Sequence, residues 1–178
     1  MADNGLTGIL LVGGAGTRFG SSKALARLGG ETLAERAWRL LGEACDERVA
    51  VGSATGLPFE TLSDAGDAHA PLAGIVAGLR AAAHEVAIVI PVDMPLLTAA
   101  ALHALAGGCR DAAVPQTGPL PGAYAKSALP VLEDALARGE LRLRDVVARL
   151  DAAVVELDEA LLANVNEPGD LELLAGSS

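Results

Sequence analysis

The stretch from Gly8 to Lys23 reads G-I-L-L-V-G-G-A-G-T-R-F-G-S-S-K, and its reading decides the fold. The apolar run Ile9 to Val12 predicts a buried strand. The glycines after it predict a loop at that strand's carboxyl end, which is where ligands bind in open α/β sheets. Glycine lets backbone N–H groups approach a phosphate closely and adopt φ > 0. Arg18 and Lys23 add fixed positive charge, one as a planar fork and the other as a point charge. Together these are the parts of a nucleoside triphosphate cradle.

Two familiar phosphate loops do not fit. The dinucleotide fingerprint requires G-x-G-x-x-G. Gly14 and Gly16 begin it, but Phe19 stands where the third glycine belongs, and the next glycine is Gly20. The Walker loop requires G-x-x-x-x-G-K-[ST], whereas Lys23 here follows Ser22. The remaining pattern, L-x-G-G-x-G-T-R-x-G-x-x-K, resembles the signature of nucleotidyltransferases with a Rossmann-like fold. The plain alternative is a glycine-rich strand-to-helix turn with incidental surface cations.

Composition narrows the class. The 178 residues predict one domain, 1–178 with an ordered core over 5–175, and 51% hydrophobic residues predict a packed core. Aromatics are only 2%, so that core rests on Leu, Val, Ile and Ala. A net charge of -10 argues against nucleic acid or an anionic membrane as partner. Binding a triphosphate on such a chain therefore calls for local means: backbone amides, a few cations and a divalent metal. No apolar window reaches the ~18 residues of a membrane span. The start M-A-D-N-G shows no signal peptide. Cys45 and Cys109 form no C-x-x-C pair and read as reduced structural thiols of a cytoplasmic protein. His69, His84 and His103 lack helical metal-pair spacing; His69 has site neighbours.

Along the chain, Leu25 to Gly30 reads as a connector. Thr32 with Glu35 makes a capping box for a helix whose apolar face is Leu33, Ala37, Leu40 and Leu41. Strands are expected at Arg48 to Gly52 and Phe59 to Leu62, with a turn-rich loop between them. Pro71 suits the first turn of a helix with Leu72, Ile75, Val76 and Leu79 on one face. Gly74 and Gly78 lie four apart in it and mark close packing on the sheet or close approach of a ligand. Val86 to Ile90 predicts a second central parallel strand, ending in P-V-D-M-P. Asp93 thus lies just past a strand tip, well placed to hold Mg²⁺ beside a phosphate loop. It could instead simply begin a turn before Pro95. Thr98 caps a helix that stops at Gly107-Gly108. Strands at Ala112 to Pro115 and after Q-T-G-P-L-P-G-A-Y-A, a helix around Leu129, Leu132 and Leu136, a strand at Ala153 to Leu157 and a helix at Pro168 to Leu174 complete the chain. Arg142 and Arg144 either meet a second anionic substrate or begin a solvated helix. The alternation predicts a three-layer α/β/α sandwich around a mostly parallel sheet.

With these pieces quoted, the chain resembles the molybdenum cofactor guanylyltransferase family. Four match in order: L-V-G-G-A-G-T-R-F-G-S-S-K at 11–23, D-A-G-D-A-H-A-P-L-A-G-I at 64–75, V-D-M-P at 92–95 and N-V-N-E-P at 164–168. The resemblance implies transfer of GMP from GTP to the terminal phosphate of molybdopterin cofactor, with release of pyrophosphate. It implies that the backbone of Leu11, Val12, Gly13, Gly14 and Gly16 holds phosphate and base. Arg18 and Lys23 would bind the triphosphate, Asp64 the nucleotide, Asp93 Mg²⁺, and Asn164 and Asn166 the acceptor. Asp67 is the alternative to Asp64, because the loop before Pro71 is about one residue short. It also implies contact with enzymes that deliver or receive the cofactor. The chain departs from the family at Phe19, at Ser21-Ser22, at Glu167, and in the substrate loop that the resemblance implies before Tyr124, where P-L-P-G-A-Y lacks an expected histidine.

Such a reaction needs no nucleophilic side chain, because the acceptor phosphate attacks the α-phosphorus in line. Positioning and charge neutralisation carry it. Three other readings remain at this point: a cytidylyltransferase on the same cofactor, a guanylyltransferase for another phosphorylated acceptor, and a non-catalytic nucleotide-binding protein. Gly13-Gly14 and P-L-A-G-I favour guanine.

Overall fold

Leu6–Leu11 forms β1 in the computed structural model, which describes residues 5–13, 23–64 and 70–175. Arg27–Leu28 (β2) and Glu31–Thr32 (β3) then make a small antiparallel hairpin. Its turn is Gly29-Gly30, with φ of 60° and 87°. Two positive φ values in succession are what a two-residue type I′ turn demands, and glycine adopts them without strain. The expected connector is therefore a hairpin.

Leu33–Ala44 is helix α1. Thr32 caps it: its Oγ1 accepts from the Glu35 amide at 3.1 Å, and Glu35 Oε2 accepts from the Thr32 amide at 2.8 Å. The reciprocal pair satisfies two N–H groups that a helix start otherwise leaves open. Glu47–Val51 is β4. The strand expected at 59–62 does not form; only Leu62 bridges Val51. Phe59 instead stacks on Trp38 of α1, with ring centroids 4.3 Å apart. In this aromatic-poor chain, that burial outweighs ladder pairing.

Pro71–Ala81 is α2, with its proline in the first turn, and Val86–Pro91 is β5. Ala99–Gly108 is α3, capped by Thr98 Oγ1, which accepts from the Ala101 amide at 3.3 Å. Ala112–Pro115 (β6), Gly122–Ala125 (β7), Leu129–Ala137 (α4), Leu143–Val147 (α5), Ala152–Val155 (β8) and Pro168–Ala175 (α6) follow. The sheet order is β4-β1-β5-β7-β6-β8. Only β7 runs against its neighbours; the β4–β1, β1–β5 and β6–β8 pairs are parallel. Among the described residues, no helix is long and apolar enough to cross a membrane.

Strand period two divides the core between the faces. Leu10, Ile88 and Ile90 meet Leu33 and Leu41 of α1 and Leu102 and Leu105 of α3. Ile9, Leu11, Ala87 and Val89 meet Leu72, Ile75 and Leu79 of α2, Leu132 of α4 and Val146 of α5. Both faces are thus covered, which is why Ile9 to Leu11 of β1 and Val86 to Ile90 of β5 are apolar on both faces rather than alternating. Truncating a fully buried leucine such as Leu41 should cost about 2–5 kcal/mol.

The glycines of α2 take the packing role. A Cβ on Gly78 would lie 2.7 Å from Ile9, and one on Gly74 would lie 2.7 Å from Leu11. Their absence lets α2 lie close on β1. That contact brings the start of α2 to the carboxyl end of the sheet, where β1 and β5 open.

Candidate active site

A cleft of about 720 Å³ opens at that end, lined by residues that follow β1, β4 and β5. Leu11, Val12, Gly13, Lys23, Asp64, Asp93 and Asn164 all line it. Gly14, Gly16 and Arg18, with the alternative Asp67 and with His69, lie outside the described residues. Asn166 is exposed and does not line the cleft. Its amide donates to Asp170 Oδ2 at 2.8 Å.

One wall is built by backbone approach. The Val12 amide donates to the Val51 carbonyl at 2.9 Å, carrying the parallel pairing one residue past β1. Gly52 has a φ of 121°, and a Cβ on it would stand 2.6 Å from the Gly13 nitrogen. The two main chains therefore touch, and only glycine at 52 permits it. Gly52 and Leu62 then close the intervening loop: the Gly52 amide donates to the Leu62 carbonyl at 2.9 Å. The chain returns to set Asp64 beside Gly13, its Oδ2 3.9 Å from where a Gly13 Cβ would be. Asp64 Oδ1 is buried and has no hydrogen-bond partner among the described residues. Buried carboxylate oxygens are ordinarily paired, which makes Asp64 a candidate ligand-binding group.

The cleft floor carries charge. Lys23 opens a short 3₁₀ turn, Lys23–Leu25, seated by buried Ala24. Its Nζ donates to Asp93 Oδ2 at 3.4 Å, and both side chains are partly exposed, at 21% and 26%. A pair that long and that wet contributes little to stability. Asp93 is held by its main chain instead. Its carbonyl accepts from the Val165 amide at 2.8 Å. Two residues on, Arg36 Nε donates to the Pro95 carbonyl at 2.9 Å.

The strap after residue 162 completes that side. Leu162 and Val165 are buried anchors, and exposed Asn164 lies between them at the cleft. Asp170 fixes the turn that follows, accepting from the Asn166 and Glu167 amides. Those two bonds hold its carboxyl below the usual range, with Lys23 adding a smaller pull.

Sequence reasoning read the loop before Tyr124 as a substrate loop but named no site residue in it, and it forms the wall opposite Gly13. Thr117, Gly118, Pro119 and Leu120 line the cleft from the loop before β7. The signal was the P-L-P-G-A-Y departure itself. Arg144, left open between substrate and helix start, donates from Nη2 to the Thr117 carbonyl at 3.1 Å, and Arg142 precedes α5 as its cap residue. Burial, with a smaller push from neighbouring aspartates, raises the Cys45 and Cys109 thiols to about 12 and about 11. Neither is a ready nucleophile.

The sequence matches the MobA-like NTP transferase domain over residues 8–154. It is 34% identical to a probable molybdenum cofactor guanylyltransferase of Chloroflexus aggregans, over 95% of this chain and 93% of that one. It is 37% identical to a probable molybdenum cofactor guanylyltransferase of Deinococcus radiodurans, over 96% and 94%. The fold superposes on the crystal structure of molybdopterin-guanine dinucleotide biosynthesis protein A from Archaeoglobus fulgidus with a TM-score of 0.80, at 26% identity, covering 96% of this chain and 97% of the other. The chain belongs to the molybdenum cofactor guanylyltransferase family, within the MobA-like nucleotidyltransferases.

Proposed function

From that membership we propose that the chain transfers GMP from GTP to the terminal phosphate of molybdopterin cofactor. An acceptor phosphate oxygen attacks the α-phosphorus. The bond from that phosphorus to the bridging oxygen breaks, and pyrophosphate leaves. The product is the guanine dinucleotide form of the cofactor. The observation that carries this reading is the junction of Lys23 and Asp93 on the floor of one cleft, with Gly13 and Asp64 on its nucleotide side.

Each residue has a physical role. The backbone at Leu11, Val12 and Gly13 borders the base and phosphates, and Gly52 keeps that approach open. Lys23 places its ammonium where charge builds on the departing pyrophosphate, an electrostatic contribution that strengthens as bound substrates displace water from the cleft. Arg18 supplies a second cation from the same loop. Asn164 faces the acceptor from the strap.

Mg²⁺ fits this donor set. Asp93 and Asp64 are hard oxygen donors on one cleft, and Asp64 Oδ1 is buried without a partner among the described residues. Among the described residues there is no group of three or more acidic, His or Cys side chains that could cage a metal. Mg²⁺ takes one or two carboxylates and fills the rest of its shell with substrate phosphates and water. Bound there, it would neutralise phosphate charge and align the reacting oxygens. Asp93 would hold it, with Asp64 supporting the nucleotide beside it.

Pyrophosphate release from Mg·GTP, Mg·CTP and Mg·ATP, each with and without molybdopterin cofactor, tests the proposal. Release only with GTP plus the acceptor supports it. Release with CTP moves the chain to cytidylyl transfer. GTP binding without release from any nucleotide would leave a binding protein.

A further inference from the structure

The loop between β6 and β7 is fastened at three places along six residues. Gln116 Nε2 donates to the Leu157 carbonyl at 2.7 Å, and its Oε1 accepts from the Leu157 amide at 3.1 Å. Arg144 donates to the Thr117 carbonyl. Tyr124 donates from its hydroxyl to the Pro119 carbonyl at 2.6 Å. The Tyr124 side chain is fully buried, and burial raises its hydroxyl well above the usual tyrosine range. It therefore remains a neutral donor. Gly122 leaves no slack beneath: a Cβ there would lie 2.7 Å from the Tyr124 ring and 2.8 Å from the Pro119 oxygen.

Strand order says what this loop faces. Across the sheet from β4 to β8, the nucleotide side lies after β1, Asp93 lies after β5, and the loop enters β7 next in line. Thr117 to Leu120 thus line the cleft on the far side of Asp93 from Gly13 and Asp64. An in-line attack places acceptor and leaving group on opposite sides of the reacting phosphorus. We propose that Tyr124 is a positioning residue for the acceptor, holding the Thr117–Leu120 wall at a fixed distance from Asp93 through the Pro119 carbonyl. It touches no substrate itself. The inference rests on the proposed nucleotidyl transfer and extends it to the acceptor side.

Kinetics on the full chain, with GTP and molybdopterin cofactor varied separately, test this in Tyr124→Phe and in Gln116→Ala, which loosens the same wall from its other end. Each should raise the acceptor KM about three- to tenfold, the range of one net hydrogen bond, while GTP affinity measured alone stays as in the parent. An unchanged acceptor KM in both, or acceptor and GTP constants rising together, overturns the proposal. Amide exchange of the full chain adds a readout that does not depend on the acceptor. Tyr124→Phe should speed exchange at the Thr117, Gly118 and Leu120 amides and leave Gly13 and Asp64 alone; no change at those three also overturns it. If the parent chain releases no pyrophosphate with molybdopterin cofactor, the proposed reaction has failed, and exchange alone decides whether Tyr124 holds the wall.

Discussion

The Val165 amide donates to the Asp93 carbonyl at 2.8 Å, tying the strap that carries Asn164 to the residue just past β5. Main-chain bonds of this kind do not move with side-chain charge. The main chain at Asp93 therefore stays fixed independently of the Lys23 contact its carboxylate makes. The strap and the charged floor of the cleft are fixed as one unit.

Replacing Asp93 should separate activity from stability. Asp93→Ala and Lys23→Ala should each lower kcat/KM about 10²–10³-fold, the size seen when one electrostatic donor is removed from such a site. The Lys23–Asp93 contact is 3.4 Å and partly exposed, so a double-mutant cycle on melting should give a coupling below about 1 kcal/mol. A larger coupling would mean the pair is structural.

Asp64→Ala should show the opposite balance between fold and ligand. Asp64 Oδ1 is buried with no partner among the described residues, and such an oxygen costs the nucleotide-free fold about 1–3 kcal/mol. Removing it should leave the melting temperature equal to or above that of the parent, while KM for GTP rises about tenfold or more. A lower melting temperature with unchanged KM would place Asp64 in the scaffold rather than at the nucleotide.

Gly78→Ala tests how closely α2 lies on β1. The added methyl would sit 2.7 Å from two Ile9 atoms that are themselves fully buried. Overpacking of that kind costs about 1–3 kcal/mol. Denaturant unfolding should show that loss with the slope unchanged.

Stability should fall in acid partly through Glu47, at the sheet end opposite the cleft. The Ala83 amide, 2.8 Å from its Oε2, is the main reason its carboxyl titrates below the usual value. The Thr7 hydroxyl at 2.7 Å also favours the charged form, as do His84 after α2 and Lys126 after β7. A depressed carboxyl pKa gives stability that is present above the unfolded value and is lost as pH falls through the folded one. Glu47→Gln should therefore be less stable than the parent above about pH 5. The difference should shrink below that point, as read by melting from pH 7 to 3.

Much of this was legible because it is local. The V-A-I-V-I run and Ile9 to Val12 had to be inner strands, since apolar side chains on both faces of a strand have no other home. Thr32 and Glu35 stand three apart and close their box without help from the rest of the chain. Gly74 and Gly78 signalled close packing because a helix keeps interior glycines only at a cost. The 59–62 segment was misread for a reason equally physical: its pattern carried no trace of Trp38, the ring it stacks on.

The sequence by itself thus determined the inner strands and the helix caps, the cations of the first loop and the carboxylate past β5, each set by chemistry within a few residues. Only the tertiary structure decided that Lys23 meets Asp93 across 70 positions, that Asp64 returns beside Gly13, and that Tyr124 holds the wall beyond Asp93. Those contacts depend on strand order, and strand order follows from how helices cover both faces of the sheet, which no short stretch encodes.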